Sequence, residues 1–272
     1  MSTVGSGMIG VFDSGVGGLT VLEALAAELP SEHFIYLGDT ARLPYGTKSP
    51  ATVVRYALQA TEALMQHRLK CLVIACNTAS AVSLPAIGER AANVPVIGVI
   101  EPGAQAACAA SRSGRIAVIG TEGTVRGGAY REAIRRRRAD AQVTALPAPL
   151  FVALAEEGLC EGPIAEAIAH HYLDPLFEAP RRPDTLVLGC THFPMLIRAI
   201  RAAAGADVTI VDSARTTARH VRRTLQEAGL AALGGQGSLR LLATDAPQRF
   251  ARIGSRFLER PIEPHEVELI DL

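Results

Sequence analysis

Short apolar runs rich in β-branched residues alternate along the chain with Ala- and Leu-rich stretches at helical spacing. The runs with strand character are Ile9–Phe12, His33–Leu37, Leu72–Ala75, Val96–Ile100, Arg115–Ile119, Ala141–Ala145, Thr185–Leu188, Val208–Val211 and Arg240–Ala243. Helical stretches between them include Leu19–Leu29, Pro50–Gln66, Gly127–Arg138, Pro163–Leu176 and Ala214–Ala228. The strands show little apolar–polar alternation, as expected when helices cover both faces of a sheet. The pattern predicts an α/β fold of mainly parallel sheets flanked by helices.

Segments of the first half of the chain recur in the second half, in the same order and at nearly constant offsets. Ile9–Gly15 resembles Ile116–Glu122 at offset 107, Leu72–Thr78 resembles Leu186–His192 at offset 114, and Val99–Pro102 resembles Ile210–Ser213 at offset 111. Any two buried parallel strands share some likeness, which is the alternative explanation. Generic strands, however, do not end in cysteine followed by an amide or hydroxyl residue. The repeat therefore predicts two similar α/β halves.

Composition excludes several classes of protein. The chain has 272 residues, of which 49% are hydrophobic and 20% charged, so it is not a disordered chain. Lys+Arg and Asp+Glu are both 27, which leaves no global basic field for nucleic acid or anionic lipid. The five cysteines are an odd number in a long chain, which argues against a disulfide scaffold. Neither a signal peptide nor a membrane span is evident, so we expect a cytoplasmic protein.

Polar segments follow several of the predicted strands, where open parallel sheets bind their ligands. These segments are Asp13–Gly18, Gly38–Gly46, Cys76–Thr78 and Cys190–His192. The first has glycines at a spacing that does not match the dinucleotide-binding motif, and no Walker lysine follows it. Glycines that let a backbone approach a small anion explain this loop equally well.

Cys76 and Cys190 occupy equivalent positions of the repeat, so their thiols are expected to face each other across one cleft. Buried free cysteines are often only small apolar residues, and that alternative remains. A redox pair would normally have Cys-x-x-Cys spacing, which is absent, and a zinc site with His192 and Asp13 would have unfamiliar spacing. Two-base proton transfer remains, because a thiol can act as acid or base near neutral pH. Identical groups on both faces of a carbon atom suit racemisation.

A pyridoxal phosphate cofactor is not expected, because it would require a Schiff-base lysine. The chain has two lysines, Lys48 and Lys70, and neither lies at the carboxyl end of a predicted strand. The sequence therefore favours a route that needs no cofactor and no metal.

Four segments are specific in combination: Ile9–Thr20, Leu37–Gly46, Ile74–Ser80 and Leu188–Pro194. In this order they closely resemble bacterial glutamate racemase, and the resemblance extends from residue 9 to about residue 215. It implies two pseudo-symmetric α/β domains with the active site in the cleft between them. Residues 1–98 and 211–272 would form the first domain and residues 99–210 the second.

The resemblance also implies roles for individual residues. The catalytic cysteines fall on Cys76 and Cys190, assisted by Asp13 and His192, and a further family glutamate falls on Glu156, with Glu157 as the alternative. The substrate-binding residues fall on Asp13, Ser14, Tyr45, Gly46, Asn77, Thr78, Thr191 and His192. Several of these also have purely structural explanations, as helix caps, an Asx turn, a packed aromatic or a core histidine.

The implied activity is cofactor-independent interconversion of L- and D-glutamate, which supplies D-glutamate for peptidoglycan. The alternatives are an aspartate or related amino-acid racemase, or an inactive regulatory or binding protein on the same fold. An inactive protein would be expected to have lost one of the two thiols, and both are present. The Pro44–Gly46 loop favours glutamate over aspartate as the substrate. A homodimer is expected, and a membrane or nucleic-acid partner is not; the gyrase inhibition known for some family members is left undecided by the sequence.

Overall fold

The computed structural model describes residues 7–178 and 180–272, and its strands form two wholly parallel sheets. The strands are β1 Met8–Asp13, β2 His33–Gly38, β3 Leu69–Ile74, β4 Val96–Gly98, β5 Arg115–Gly120, β6 Gln142–Pro147, β7 Thr185–Gly189, β8 Thr209–Asp212, β9 Ser238–Ala243 and β10 Val267–Leu269. The first sheet has the order β10-β9-β2-β1-β3-β4, and the second has the order β6-β5-β7-β8. The predicted α/β class is confirmed.

Helices flank both sheets. They are α1 Leu19–Glu28, α2 Pro50–Met65, α3 Asn77–Val82, α4 Leu84–Ala91, α5 Ile100–Ala110, α6 Glu122–Gly127, α7 Ala129–Arg137, α8 Leu150–Glu157, α9 Pro163–Phe177, α10 Ile197–Ala204, α11 Ser213–Glu227 and α12 Pro247–Phe257. Central strands such as β1 and β7 are buried on both faces, which explains their lack of alternation. None of these helices is long and apolar enough to cross a membrane, among the residues that the structure describes.

The internal repeat corresponds to a shared topology. The order β2-β1-β3-β4 in the first sheet matches β6-β5-β7-β8 in the second. The chain then returns after β8 and adds β9 and β10 to the free edge of β2. This arrangement supports our proposal of a first domain from residues 1–98 and 211–272 and a second from residues 99–210.

Two sequence-based predictions were wrong in detail. The strand expected at Val96–Ile100 ends at Gly98, because Pro102 and Glu101 lie in the first turn of α5, where both residue types favour a helix start. The third repeat match was therefore out of register. The ends of β4 and β8, at Gly98 and Asp212, are 114 residues apart, the same offset that separates the two cysteines.

The helix expected at Gly127–Arg138 is divided. Gly128 has φ 67°, in the left-handed region that glycine tolerates, so α6 ends before it and α7 begins after it. This break turns the chain at the end of α6, the short helix that follows β5.

Candidate active site

Cys76 follows β3 and caps the N-terminus of α3. Its buried Sγ accepts the backbone N–H of Ala79 at 3.5 Å and donates to Ser14 Oγ at 3.6 Å. Burial, together with the nearby charge of Asp13, raises the pKa of the Cys76 thiol to about 12. In this structure Cys76 is therefore a protonated thiol.

Asp13, at the end of β1, is fully buried beside Cys76. Its Oδ2 accepts the backbone N–H of Gly15 at 2.9 Å. This contact is an Asx turn, one of the structural explanations that the sequence allows for the site residues. Its Oδ1 has no hydrogen-bond partner among residues 7–178 and 180–272. Burial raises the pKa of the carboxyl, although His192 and the backbone N–H of Gly15 oppose the rise. This carboxylate is thus placed to accept a proton.

Cys190, after β7, has a different set of neighbours. Its Sγ lies 3.9 Å from Nδ1 of His192, and Nε2 of the same ring lies 3.3 Å from Oε1 of Glu156. Glu156 is the glutamate in contact with His192, whereas Glu157 is exposed. Burial disfavours a charged imidazole, but hydrogen bonds to Cys190 and Glu156 outweigh it and raise the pKa of His192 to about 10. Cys190 therefore lies beside an imidazolium.

The loop after β1 packs directly against the loop after β7. A Cβ atom on Gly17 would lie 2.4 Å from both His192 Nδ1 and Thr191 Oγ1. The hydroxyl of Thr20 donates to the backbone oxygen of Thr191 at 3.0 Å. Only glycine allows this close approach, and it brings the Asp13 loop of the first sheet to Thr191 and His192 of the second.

A second contact between the sheets lies on the Thr78 side of the cleft. The hydroxyl of Thr78 lies 2.9 Å from that of Thr121 and 3.2 Å from that of Thr124. A Cβ atom on Gly46 would lie 2.6 Å from Thr121 Cβ. Sequence reasoning missed Thr121, although the 107-residue offset of the repeat places it opposite Ser14.

Asn77 is held from across the cleft. The hydroxyl of Tyr130, on α7, donates to Asn77 Oδ1 at 2.7 Å. Asn77 Nδ2 is buried without a hydrogen-bond partner among the described residues. Because buried polar groups are normally paired, an unpaired amide donor next to Cys76 suits an acceptor group of a ligand.

The side chain of Tyr45 is held within the part of the protein built on the first sheet. Its ring is buried against Phe12 and Tyr56, and its hydroxyl donates to the carboxylate of Asp39. Asp39 also accepts from Arg42 at 2.7 Å. The phenol hydroxyl is thus already hydrogen-bonded, which leaves the backbone of Tyr45, beside Gly46, as its available polar group.

The predicted residues thus form two groups that the glycine contacts bring together. Asp13, Ser14 and Cys76 lie at one thiol, and Thr191, His192 and Glu156 lie at the other. Within the described part of the chain, no group of three or more His, Cys, Asp or Glu side chains could hold a metal ion. The charge of Cys190 contributes to the raised pKa of Cys76, so the two thiols share one electrostatic environment. The arrangement offers two acid–base groups with different partners in one cleft.

Comparisons with known proteins identify the family of the chain. The Asp/Glu/Hydantoin racemase family matches residues 9–221. A curated glutamate racemase from Geobacter metallireducens is 51% identical over 251 residues, which is 92% of each chain. The structure of a glutamate racemase isoform from Bacillus anthracis superposes with a TM-score of 0.93 at 38% identity, covering 98% of both chains.

A glutamate racemase from Francisella tularensis, solved in complex with D-glutamate, gives a TM-score of 0.89 at 35% identity and covers 97% of both chains. The resemblance seen in the sequence motifs is confirmed by these matches, which extend over nearly the whole chain. The chain belongs to the Asp/Glu/Hydantoin racemase family, and it is an amino-acid racemase similar over nearly its whole length to the glutamate racemases.

Proposed function

We propose that this protein interconverts L- and D-glutamate with Cys76 and Cys190 as its two acid–base groups. The observation that carries the proposal is the pair of buried thiols at equivalent ends of β3 and β7. One thiolate removes the proton from the α-carbon and leaves a planar carbanion. The opposite thiol then donates its proton to the other face, so the two cysteines end the turnover with exchanged protonation states.

Each thiol has its own assisting group in this mechanism. One carboxylate oxygen of Asp13 has no hydrogen-bond partner within the described part of the chain, and Asp13 accepts the thiol proton when Cys76 becomes the base. His192 carries a positive charge beside Cys190 and stabilises its thiolate, while Glu156 orients the ring. The two halves of the reaction therefore use different pairs of groups. Cys76 and Asp13 form a thiol–carboxylate pair, and Cys190 and His192 form a thiolate–imidazolium ion pair.

The substrate assignment rests on the glutamate racemases that the chain resembles and on donors available in the cleft. The unpaired Nδ2 of Asn77 and the hydroxyls of Ser14, Thr78, Thr191 and Thr121 are groups that bind carboxylates. Gly46 contributes backbone at the same edge.

We further propose that the enzyme acts in the cytoplasm, as a homodimer, and supplies D-glutamate for peptidoglycan.

The direct test is racemisation in deuterated water, followed by chiral chromatography and mass spectrometry. Early turnover of L-glutamate is expected to give D-glutamate carrying deuterium at the α-carbon, while the remaining L-glutamate stays largely unlabelled. Label accumulating first in the L enantiomer would indicate a single base and contradict the mechanism. A higher rate on L-aspartate than on L-glutamate would overturn the substrate assignment.

Variants test the two cysteines separately. Cys76→Ala and Cys190→Ala are each expected to abolish racemisation, because each removes one obligatory proton carrier. Elimination of chloride from β-chloroalanine needs only one base, so each variant should retain it with one enantiomer, and the two variants should prefer opposite enantiomers. Cys71→Ala, a buried cysteine on β3 outside the cleft, serves as the control and should keep racemisation. Racemisation at the unmodified rate by both cleft variants would show that the thiols are structural.

A further inference from the structure

Arg249 connects the last helix to the glutamate of the site. It lies on α12, which follows β9 of the first sheet, and its Nη2 is 2.7 Å from Glu156 Oε2 on α8. The Arg249 side chain is 48% exposed and that of Glu156 only 14% exposed. The guanidinium thus reaches in from the surface to hold a carboxylate that is mostly shielded from water.

The contact continues to Cys190. The second oxygen of Glu156 is 3.3 Å from His192, whose other ring nitrogen is 3.9 Å from Cys190 Sγ. The ring of Phe257, also on α12, packs edge-on against the imidazole, with centroids 5.3 Å apart. Helix α12 therefore supports His192 in two ways, through ring packing and through the Arg249–Glu156 ion pair.

We propose that Arg249 is a positioning residue for the Cys190 half of the reaction, which holds Glu156 so that its carboxylate orients His192 on the thiol. This inference rests on the proposed function. Both carboxylate oxygens of Glu156 are occupied, so a rotation of the carboxylate that breaks the contact with His192 also disturbs the contact with Arg249. A cavity of about 220 Å³ borders Arg249, Glu156 and Val16, so without the guanidinium the carboxylate has water and space into which to turn.

The Cys76 half does not share this support. Asp13 is fixed by the backbone N–H of Gly15, on the loop after β1, and not by a side chain of α12. Loss of Arg249 is therefore expected to impair one thiol and spare the other. Because the equilibrium constant of a racemisation is unity, kcat/KM must fall equally in both directions, and the asymmetry has to be measured with an irreversible reaction.

Chloride elimination from D- and L-β-chloroalanine provides that measurement. In each case a thiolate takes the α-proton, chloride leaves, and the aminoacrylate hydrolyses to pyruvate and ammonia, which are quantified. Arg249→Gln is expected to slow elimination roughly 10- to 100-fold with the enantiomer that Cys190→Ala cannot process, the size of a lost charged hydrogen bond. With the other enantiomer the rate should stay within about twofold.

Two further variants complete the experiment. Arg249→Lys keeps a cation and should recover part of the lost rate, and Arg252→Gln, an exposed arginine on the same helix, should behave as the unmodified protein. Equal losses with both enantiomers, or no loss with either, would overturn the role of Arg249. The unmodified protein is expected to eliminate chloride from each enantiomer. If it processes only one of them or neither, the proposed function is contradicted instead.

Discussion

Single side chains in this site are held by residues from the opposite side of the cleft. Tyr130 fixes the amide of Asn77 through a 2.7 Å hydrogen bond, and the amide nitrogen is left without a partner among residues 7–178 and 180–272. A ligand bound by that nitrogen depends on the tyrosine for its orientation, but the tyrosine itself takes no part in proton transfer. Its removal should therefore change substrate binding more than the chemical step.

Tyr130→Phe removes only the hydroxyl and tests this dependence. Loss of a neutral hydrogen bond costs about 0.5–1.5 kcal/mol, so KM for glutamate is expected to rise roughly 2- to 10-fold with kcat nearly unchanged. Steady-state kinetics in both directions measure the two constants. Tyr56→Phe is the matched control, since the Tyr56 hydroxyl has no hydrogen bond among the described residues. A fall in kcat without a change in KM would contradict a binding role.

At this scale the sequence revealed residues that the repeat duplicates. Cys76 and Cys190 stood out because each follows a strand and precedes polar residues. Thr121 was missed, although the offset of the same repeat pairs it with Ser14. Arg249 carried no such signal, because it is 93 residues from Glu156 and lies on a helix of the C-terminal segment. Only the packing of α12 on the second sheet's loops brings it to the site.

At the scale of elements, the loops that follow the strands of the two sheets contact each other at glycines. Gly17 on the loop after β1 leaves no room for a side chain against Thr191 and His192, both of which follow β7. The sequence identified this loop as Gly-rich, and close approach of its backbone to a small anion was one explanation of the glycines. Its contact with a histidine from another sheet depends on how the two sheets dock, which no local pattern records.

Gly17→Ala tests the loop contact. A Cβ atom 2.4 Å from His192 Nδ1 must displace the ring, and a misplacement of about 1 Å can reduce turnover roughly 100-fold. Gly88→Ala in α4 is the control, because nothing lies within 4 Å of its Cβ and a helix favours alanine. Racemase activity and thermal unfolding of both variants distinguish a displaced histidine from general destabilisation. Full activity in Gly17→Ala would show that the loop adjusts freely.

Asp184, just before β7, ties the end of α5 to the second sheet. It accepts the hydroxyl of Ser111 at 2.6 Å and the backbone N–H groups of Arg112 and Ser113 at 2.9 and 2.7 Å. Partial burial opposes ionisation, but these hydrogen bonds outweigh it and lower the pKa of Asp184 from its usual 3.8 to about 2. The ionised carboxylate therefore stabilises the folded state.

The pH dependence of this contribution has a definite sign. Because the folded pKa is the lower one, the stabilisation is present above pH 3.8 and is lost as the pH falls towards 2. Asp184→Asn should therefore unfold at lower urea concentration than the unmodified protein at pH 5–7, with the difference shrinking below pH 4. Urea titrations across that range measure it, and a constant difference at every pH would contradict the assignment.

At the scale of the whole molecule, a buried ion pair anchors the returning chain at the amino-terminal ends of β2 and β3, the ends opposite the site. Lys70 Nζ lies 2.5 Å from Glu32 Oε2 and donates to the backbone oxygen of Leu230 at 2.9 Å. The other oxygen of Glu32 accepts the backbone N–H of Ala232. The pair thus joins β3 and the start of β2 to the connection between α11 and β9.

Lys70→Met should destabilise the protein by about 3–5 kcal/mol, because it leaves a buried carboxylate without its cation. Chemical unfolding monitored by circular dichroism measures the change. Arg90→Gln breaks an exposed pair with Glu62 and should cost no more than about 1 kcal/mol. Equal effects of the two substitutions would show that the buried pair does not anchor the chain.

The insertion of β9 beside β2 has a consequence during synthesis of the chain. His33 and Ser238 are register partners in this ladder, yet they are 205 residues apart. At about 5–20 residues per second, β2 emerges from the ribosome roughly 10–40 s before its partner strand exists. During that interval its apolar edge is unpaired, and such an edge is a template for pairing with neighbouring chains. Nascent chains of this enzyme therefore need shielding at β2, and translation pauses before residue 238 should favour aggregation.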